Sequence, residues 1–394
     1  MVSIVLDRAE PRTRSFAAGK ATFVVECPSV HVRDAVEALF TDLPGGEERP
    51  IDRVITISEG DEGTLCVESG DEFHGPEQRP NNALATLTTA VTRLSLDCEP
   101  EWLHLHCAGL ELDGRGVLIS ASSGTGKTTL TAALVARGWT YISDESVAIE
   151  SDASCASGFA KPLMIKTGAR ELLPQLAAHR VSLEPDDELY WHVPASAIPA
   201  TITERLEPAL VVILQRSADG LTDIPAAPAL MERADTVVAL MGETMDAVRF
   251  GPDAVLVLAR LVARCTCVSL SVGPLDSSAK ALVDLIATPP EPREVVALDD
   301  LSGSTHHGWT VPESVRSVMI DNRVVAHDTS GGSIIALDEV GSGVWAALLG
   351  EPPGWWRPQV LETPSTGSFL RQLASHGLLI PPEAPTEEVT ACSP

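Results

Sequence analysis

At 394 residues the chain is too long for one average domain, so two or three are expected. With 44% hydrophobic and 21% charged residues it has apolar material for real cores, which excludes global disorder. A formal charge of −27 excludes a surface that attracts nucleic acid or anionic lipid, and it suits a neutral or basic partner.

Residues 1–100 read as a small α+β lobe. "ATFVVECPSV" (21–30), "RVITISEG" (53–60) and "TLCVES" (64–69) are strand-like runs between turns rich in Gly, Asp and Glu. "NNALATLTTAVTRLSLD" (81–97) reads as a helix with Asn81 or Asn82 as its N-cap. The first residues, "MVSIVLDRAEPRTRSF", lack a long apolar run, and no run elsewhere approaches a membrane span. A soluble cytoplasmic protein is expected.

Residues 101–288 alternate strands and helices, an α/β pattern. "LHLHCAGLEL" (103–112) and "GVLISA" (116–121) are strands, and "GKTTLTAALVARG" (126–138) is a helix closed by Gly138. "WTYIS" (139–143) and "PALVVILQR" (208–216) are further strands. "DAVLVLARLVARC" (253–265), "TCVSLSVG" (266–273) and "DSSAKALVDLIAT" (276–288) read as helix, strand and helix. Residues 289–311, rich in Pro, Asp, Gly and Ser, read as a linker. In residues 312–382, three short strands are joined by the hairpin signals "DN" (321–322) and "SGG" (330–332). Two helices, "EVGSGVWAALLG" (339–350) and "STGSFLRQLASHG" (365–377), and a last strand, "LLIPP", follow. Residues 383–394 read as a disordered tail. None of the eight cysteines shows CxxC spacing, so reduced thiols are expected.

The chemistry concentrates at "ASSGTGKT" (121–128), between a strand and a helix. It fits the phosphate-loop pattern G-x-x-x-x-G-K-[ST] except that Ala121 stands at the first glycine. Gly124 and Gly126 allow successive backbone N–H groups to turn inward around an anion. Ser123, Gly124, Thr125, Gly126, Lys127, Thr128 and Thr129 are the expected phosphate-binding residues. Lys127 reaches the β- and γ-phosphates, and the Thr128 hydroxyl is available to Mg²⁺. The helix points its positive N-terminus at the same place.

Asp144 and Glu145 follow the next strand. An acid pair there suits phosphoryl transfer: one carboxylate takes the proton of an attacking hydroxyl while the other holds Mg²⁺. His106 is positioned to hydrogen-bond Asp144 and tune its basicity. Lysine is rare, with five in the chain, so Lys161 and Lys166 stand out as cations for phosphate charge. Arg216, ending a buried strand, is a weaker candidate for the nucleotide, and His192 beside Trp191 a weaker one still.

The run from Leu103 to Glu150 resembles the catalytic core of HPr kinase/phosphorylase, whose fold is shared with phosphoenolpyruvate carboxykinase. The shared order is His, a Gly-containing turn, strand, phosphate loop, helix, strand and acid pair. The resemblance covers about residues 102–150, and more weakly extends to about 288. It implies that His106 and Lys127 are catalytic, that Asp144 is the base for a substrate serine, and that Thr128 and Glu145 hold Mg²⁺ beside ATP. His106-Cys107 stands for the family's His-Gly, Asp144-Glu145 for its Asp-Asp, and its later Glu-x-Arg-Gly-x-Gly signature is absent.

Residues 312–382, with "IIALDEVGSGVWAALLG" (334–350) as the motif portion, resemble a PqqD-like domain. That family is a small winged helix that recognises leader peptides of ribosomally made natural products. Trp345 reads as core, and Trp355 and Trp356 as loop aromatics able to meet a partner. Together the two resemblances imply an α/β HPr-kinase-like core fused to a PqqD-like domain. The implied activity is an ATP-dependent phosphotransferase acting on a Ser or Thr of a precursor peptide bound through its leader. The alternatives are a leader-binding ATPase or chaperone without transfer, and a small-metabolite kinase. No nucleic acid or membrane partner is expected, and a homo-oligomer stays open.

Overall fold

In the computed structural model, the described residues are 11–71, 73–76, 78–184, 189–198, 200–216, 227–298, 305–306, 308–350 and 363–382. The expected tail 383–394 and the Trp355–Trp356 pair lie outside them. The chain is mixed α/β with several sheets. It divides into two compact units. The first holds residues 1–231, 242–250 and 264–291; the second holds 232–241, 251–263 and 292–394.

The first unit opens with β1 (Phe16–Ala18), β2 (Ala21–Glu26), α1 (Val30–Leu39), β3 (Arg53–Glu59), β4 (Leu65–Ser69), β5 (Phe73–His74) and α2 (Pro80–Cys98). The five strands form one sheet in chain order, with β2 and β3 parallel across the α1 crossover. Phe16, Phe23 and Phe40 cluster in its core with ring centroids 5.3–5.6 Å apart.

Two local expectations are corrected here. The run 21–30 is not one strand: β2 stops at Glu26, and Ser29 accepts a hydrogen bond from Val32 N (3.3 Å) to cap α1. Nor does Asn81 cap α2. Pro80, with its fixed φ and missing N–H, takes the first helical position behind Arg79. Asn81 is instead buried, its amide bridging Leu183 N (2.7 Å) and Glu184 O (2.6 Å).

The unit continues through β6 (Leu103–Leu105), β7 (Cys107–Leu112), β8 (Arg115–Ser120), α3 (Lys127–Val135), β9 (Thr140–Ser143), β10 (Val147–Ile149), β11 (Ala156–Ser157), β12 (Leu163–Lys166), β13 (Tyr190–Val193), β14 (Arg205–Leu206), β15 (Pro208–Gln215) and β16 (Pro228–Leu230). Then come α4 (Arg233–Met241), α5 (Ala247–Phe250), α6 (Ala254–Arg264), β17 (Thr266–Ser271) and α7 (Leu275–Ile286). By contact, α4 and nearly all of α6 belong to the second unit.

A six-stranded sheet, ordered β16-β17-β15-β8-β7-β9, carries the site. Its centre, β15 between β17 and β8, is parallel, and β7 and β9 continue it antiparallel. Parallel strands are covered on both faces, and the run "ALVVIL" (209–214) has the continuous apolar character this requires. Ile119, Leu134, Trp139, Tyr141, Val212 and Leu282 lie in the core on one side of the sheet, α3 and α7 among its covering elements.

In the second unit β18 (Val295–Ala297), β21 (Val315–Ile320), β22 (Arg323–Asp328) and β23 (Ile334–Ala336) form an antiparallel sheet. Short β19 (Thr305–His306) and β20 (Trp309–Thr310) pair beside it in sequence. Residues 289–311, read as a linker, therefore hold three strands, one of them a member of the sheet. The β21–β22 turn is Asp321-Asn322, both at positive φ (51° and 62°), as a two-residue hairpin of mirror-image type demands. α8 (Glu339–Leu348) is capped by Asp338, which accepts from Gly341 N at 2.7 Å. Trp345 is fully buried and donates to Ser317 Oγ (3.1 Å), a core residue as expected. α9 (Pro364–Ser375) follows, and the expected last strand reduces to a single bridge between Ile380 and Thr310. No described helix is long and apolar enough to cross a membrane.

Candidate functional site

The site grows from the end of β8. After Ser120 the chain turns through residues 121–126 and enters α3 at Lys127. Thr125 N bonds Ser122 O (3.2 Å), and the Ser122 and Thr125 hydroxyls lie 3.0 Å apart, closing the loop on itself. Gly124 and Gly126 have φ of 82° and 120°, which a side chain would strain, and open space lies where a Cβ would sit. The first intrahelical bond in α3 runs from Leu130 N to Gly126 O (3.0 Å). The N–H groups of residues 127–129 precede it, so loop and helix end together present amides suited to an anion.

The acids arrive on β9, which pairs with β7. Gly109 faces Ser143, but the next residue, Leu110, faces Tyr141, so Ile142 is extra and β9 bulges just before Asp144. A bulge re-aims the residues beside it. Gly109 makes room, since a Cβ there would lie 3.2 Å from Val147 and 3.4 Å from Ile142.

Lys127 and Asp144 meet. The ammonium donates to the Asp144 carbonyl, and it lies 3.9 Å from the carboxylate Oδ1. Asp144 is 4% exposed, and Oδ1 has no hydrogen-bond partner. An orphaned buried carboxylate oxygen is costly unless something else takes it up. Thr128, half-buried, and Thr129 lie in the first turn of α3, and Ser123 is exposed on the loop.

Glu145 is not free. Its carboxylate pairs with Lys161, a lysine only 4% exposed. Burial drives the Lys161 ammonium down towards about 7, with Asp144 opposing and Lys127 reinforcing the drop. The Glu145 carboxylate, in direct contact, favours the charged form.

His106 does not bond Asp144. Its Nδ1 lies 3.0 Å from Glu243 Oε2, and its backbone N donates to Glu243 O (2.7 Å). Residues 243–246 run against 104–106 as a strap, with Met245 N bonding His104 O (2.9 Å). Burial lowers the His106 pKa, and Lys127 lowers it further. The Glu243 hydrogen bond and charge, and the Asp144 charge, pull it back up. His106 is thus neutral at pH 7. With Nδ1 donating to Glu243, the tautomer leaves Nε2 as an acceptor.

Of the remaining candidates, Arg216 reaches the loop, donating to Gly124 O at 2.6 Å. Lys166 is exposed at the end of β12. His192 is buried on β13, its Nε2 3.2 Å from Asn81 O and its pKa pulled to about 4 by burial, a structural environment. The Cys107 thiol is pushed up to about 12 by burial and is inert. All seven described cysteines are free.

Sequence reasoning missed Glu243. Its only signal is an acid just past a helix end, in "MGETMD". Among the described residues, no group of three or more His, Cys, Asp and Glu could hold a metal by itself. Asp144, Glu145 and Thr128 offer hard oxygen donors, and Mg²⁺ takes one or two carboxylates completed by phosphate and water. The orphaned Asp144 Oδ1 is consistent with such use.

Neither a protein-family model nor a curated protein matches this chain. Among solved structures it is similar to the HPr(Ser) kinase/phosphatase from Coxiella burnetii. The identity is 14% and the TM-score 0.23, over 47% of this chain and 93% of that one. A likeness of that size decides neither fold nor activity.

Proposed function

We propose that the chain is an ATP-dependent kinase that phosphorylates a Ser or Thr hydroxyl of a ribosomally made precursor peptide. The observation that carries this is the buried contact of Lys127 with Asp144, beside a loop whose Gly124 and Gly126 take positive φ and at the N-terminus of α3. An anion site and a candidate base thus lie side by side.

In this reading the loop amides and Lys127 hold the triphosphate. The acceptor hydroxyl oxygen attacks the γ-phosphorus while the β–γ bridging P–O bond breaks. Asp144 takes the hydroxyl proton, and ADP leaves with the electron pair of the broken bond. Mg²⁺, held by Glu145 with Thr128, would neutralise charge on the phosphates. Neutral His106, oriented by Glu243, is an acceptor that can order the hydroxyl.

Peptide selection falls to residues 312–382. Among the described residues β23 has a strand partner on one side only, so an extended leader could add to it by backbone pairing. The PqqD-like resemblance of those residues supports the same role. The deciding experiment incubates the chain with Mg²⁺–ATP and Ser- and Thr-containing precursor peptides of ribosomally made natural products, then weighs the peptides. A gain of one phosphate is expected. ADP release with an unchanged peptide would replace this reading by a leader-binding ATPase. Transfer only to a small molecule would make it a metabolite kinase.

A further inference from the structure

Lys161 is one of five lysines in 394 residues, and it is among the buried ones. Its backbone is fixed on both sides: Lys161 N donates to Phe159 O (2.7 Å), and its carbonyl accepts from the Tyr141 hydroxyl (2.6 Å). Tyr141 lies on β9, three residues before Asp144, so the strand that presents the acids also anchors this lysine.

Two lysines and two carboxylates therefore share one cluster in which Lys127, Asp144 and Lys161 are buried and Glu145 is about 30% exposed. Both lysines rest on the acid segment, Lys127 on the Asp144 carbonyl and Lys161 on the Glu145 carboxylate. Within this quartet Asp144 Oδ1 is without a hydrogen-bond partner, which leaves capacity for a further group.

We propose that Lys161 is a second phosphate-binding cation of this site, with Glu145 as its resting partner until nucleotide and metal arrive. This rests on the kinase reading. Glu145 cannot neutralise Lys161 and serve a divalent cation equally well. When Mg²⁺–ATP enters, the Glu145 carboxylate turns to the metal, and Lys161 takes the terminal phosphate oxygens instead. Every buried charge keeps a partner through the exchange, which is what a low-dielectric site requires. Because Lys161 answers the terminal phosphate, it discriminates ATP from ADP.

The test is nucleotide binding, measured by calorimetry with Mg²⁺–ATP and Mg²⁺–ADP on the full chain, alongside thermal melts. Lys161→Met should weaken ATP by about tenfold or more, the scale of a lost charged hydrogen bond, and ADP by less than about threefold. Lys161→Arg should recover most of the ATP preference. If Lys161→Met does not fold, the Lys161→Met/Glu145→Gln double variant, which leaves neither partner of that pair unpaired, is compared with Glu145→Gln alone, so that the loss of the metal ligand is common to both. Equal losses for ATP and ADP, or a double variant with the ATP preference of Glu145→Gln, would overturn the proposal and leave Lys161 as a structural counter-ion. A wild-type chain that binds neither nucleotide would instead bring down the kinase reading itself.

Discussion

Two buried polar clusters lie on either side of Leu105, and they are built differently. Around His104 every side chain is met locally. Its Nδ1 lies 3.3 Å from Ser146 Oγ, and its Nε2 lies 3.4 Å from Glu99 O. Glu99 accepts from Lys20 N (2.9 Å), and Asp246 accepts from His104 N (3.1 Å). Lys20, Glu99, His104 and Ser146 border a cavity of about 220 Å³ whose lining does not include Asp144. Around His106 and Lys127 the picture is reversed: Asp144 Oδ1 and the neighbouring Ser143 Oγ have no partner. Burial alone thus does not mark a site, since the His104 cluster is the more deeply buried. Unmet hydrogen-bonding capacity beside the glycine loop at 121–126 is what singles out the candidate site.

The contrast can be broken most sharply at Asp144. Asp144→Asn should cut kcat by about 10²–10⁴, the usual worth of a general base, with ATP affinity changed little. Normal turnover in that variant would show that the unmet oxygen is not the base.

A smaller effect is expected at Glu243, which orients His106 without touching the phosphate loop. Glu243→Gln should lower kcat roughly tenfold and shift the acid limb of the pH profile. The sign follows from the charges. Burial and Lys127 already hold His106 below its ordinary 6.5, and Glu243 pulls it up. Removing that carboxylate lowers it further, so the limb should move to lower pH. An unmoved limb would detach His106 from the reaction.

The least effect on turnover belongs to His104. His104→Leu should leave kcat unchanged while costing about 1–3 kcal/mol of stability, the scale of stranding Ser146 Oγ. His104 is held neutral by burial, its pKa below 6.5. Its unfolded form therefore takes up the proton first, and this contribution to stability is intact above pH 6.5 and lost as pH falls towards the folded value. Thermal melts between pH 7 and 5 should show that loss in the wild type and less of it in His104→Leu. A matched loss in both would assign it elsewhere.

What the sequence revealed and what it hid follow one physical division. The loop at 121–128, the helix after it, the acid pair and the Asp321-Asn322 hairpin are written in local backbone chemistry, where Gly, Asn and Asp at particular positions permit particular dihedrals. α1 was also written locally, by Ser29, but it was masked by the apolar run ahead of it. The partners of the side chains were not local. Glu243 stands 137 residues from His106, and the only step from one to the other is the strap that pairs 243–246 with 104–106. Glu145 and Lys161 are closer in sequence, yet nothing in "DES" or "AKP" says they touch. Asn81 went the same way, taken from a cap by contacts 102 and 103 residues away.

The extra residue in β9 has a consequence for how this gene can change. Successive residues of a strand face opposite ways, so deleting one codon among 140–143 would remove the bulge and change the facing of Asp144 relative to the rest of the strand. Point substitutions are constrained there too, because Tyr141, Ile142 and Ser143 are fully buried, but the strand's length is the stricter limit. Insertions should accumulate instead in the exposed turn at 151–152.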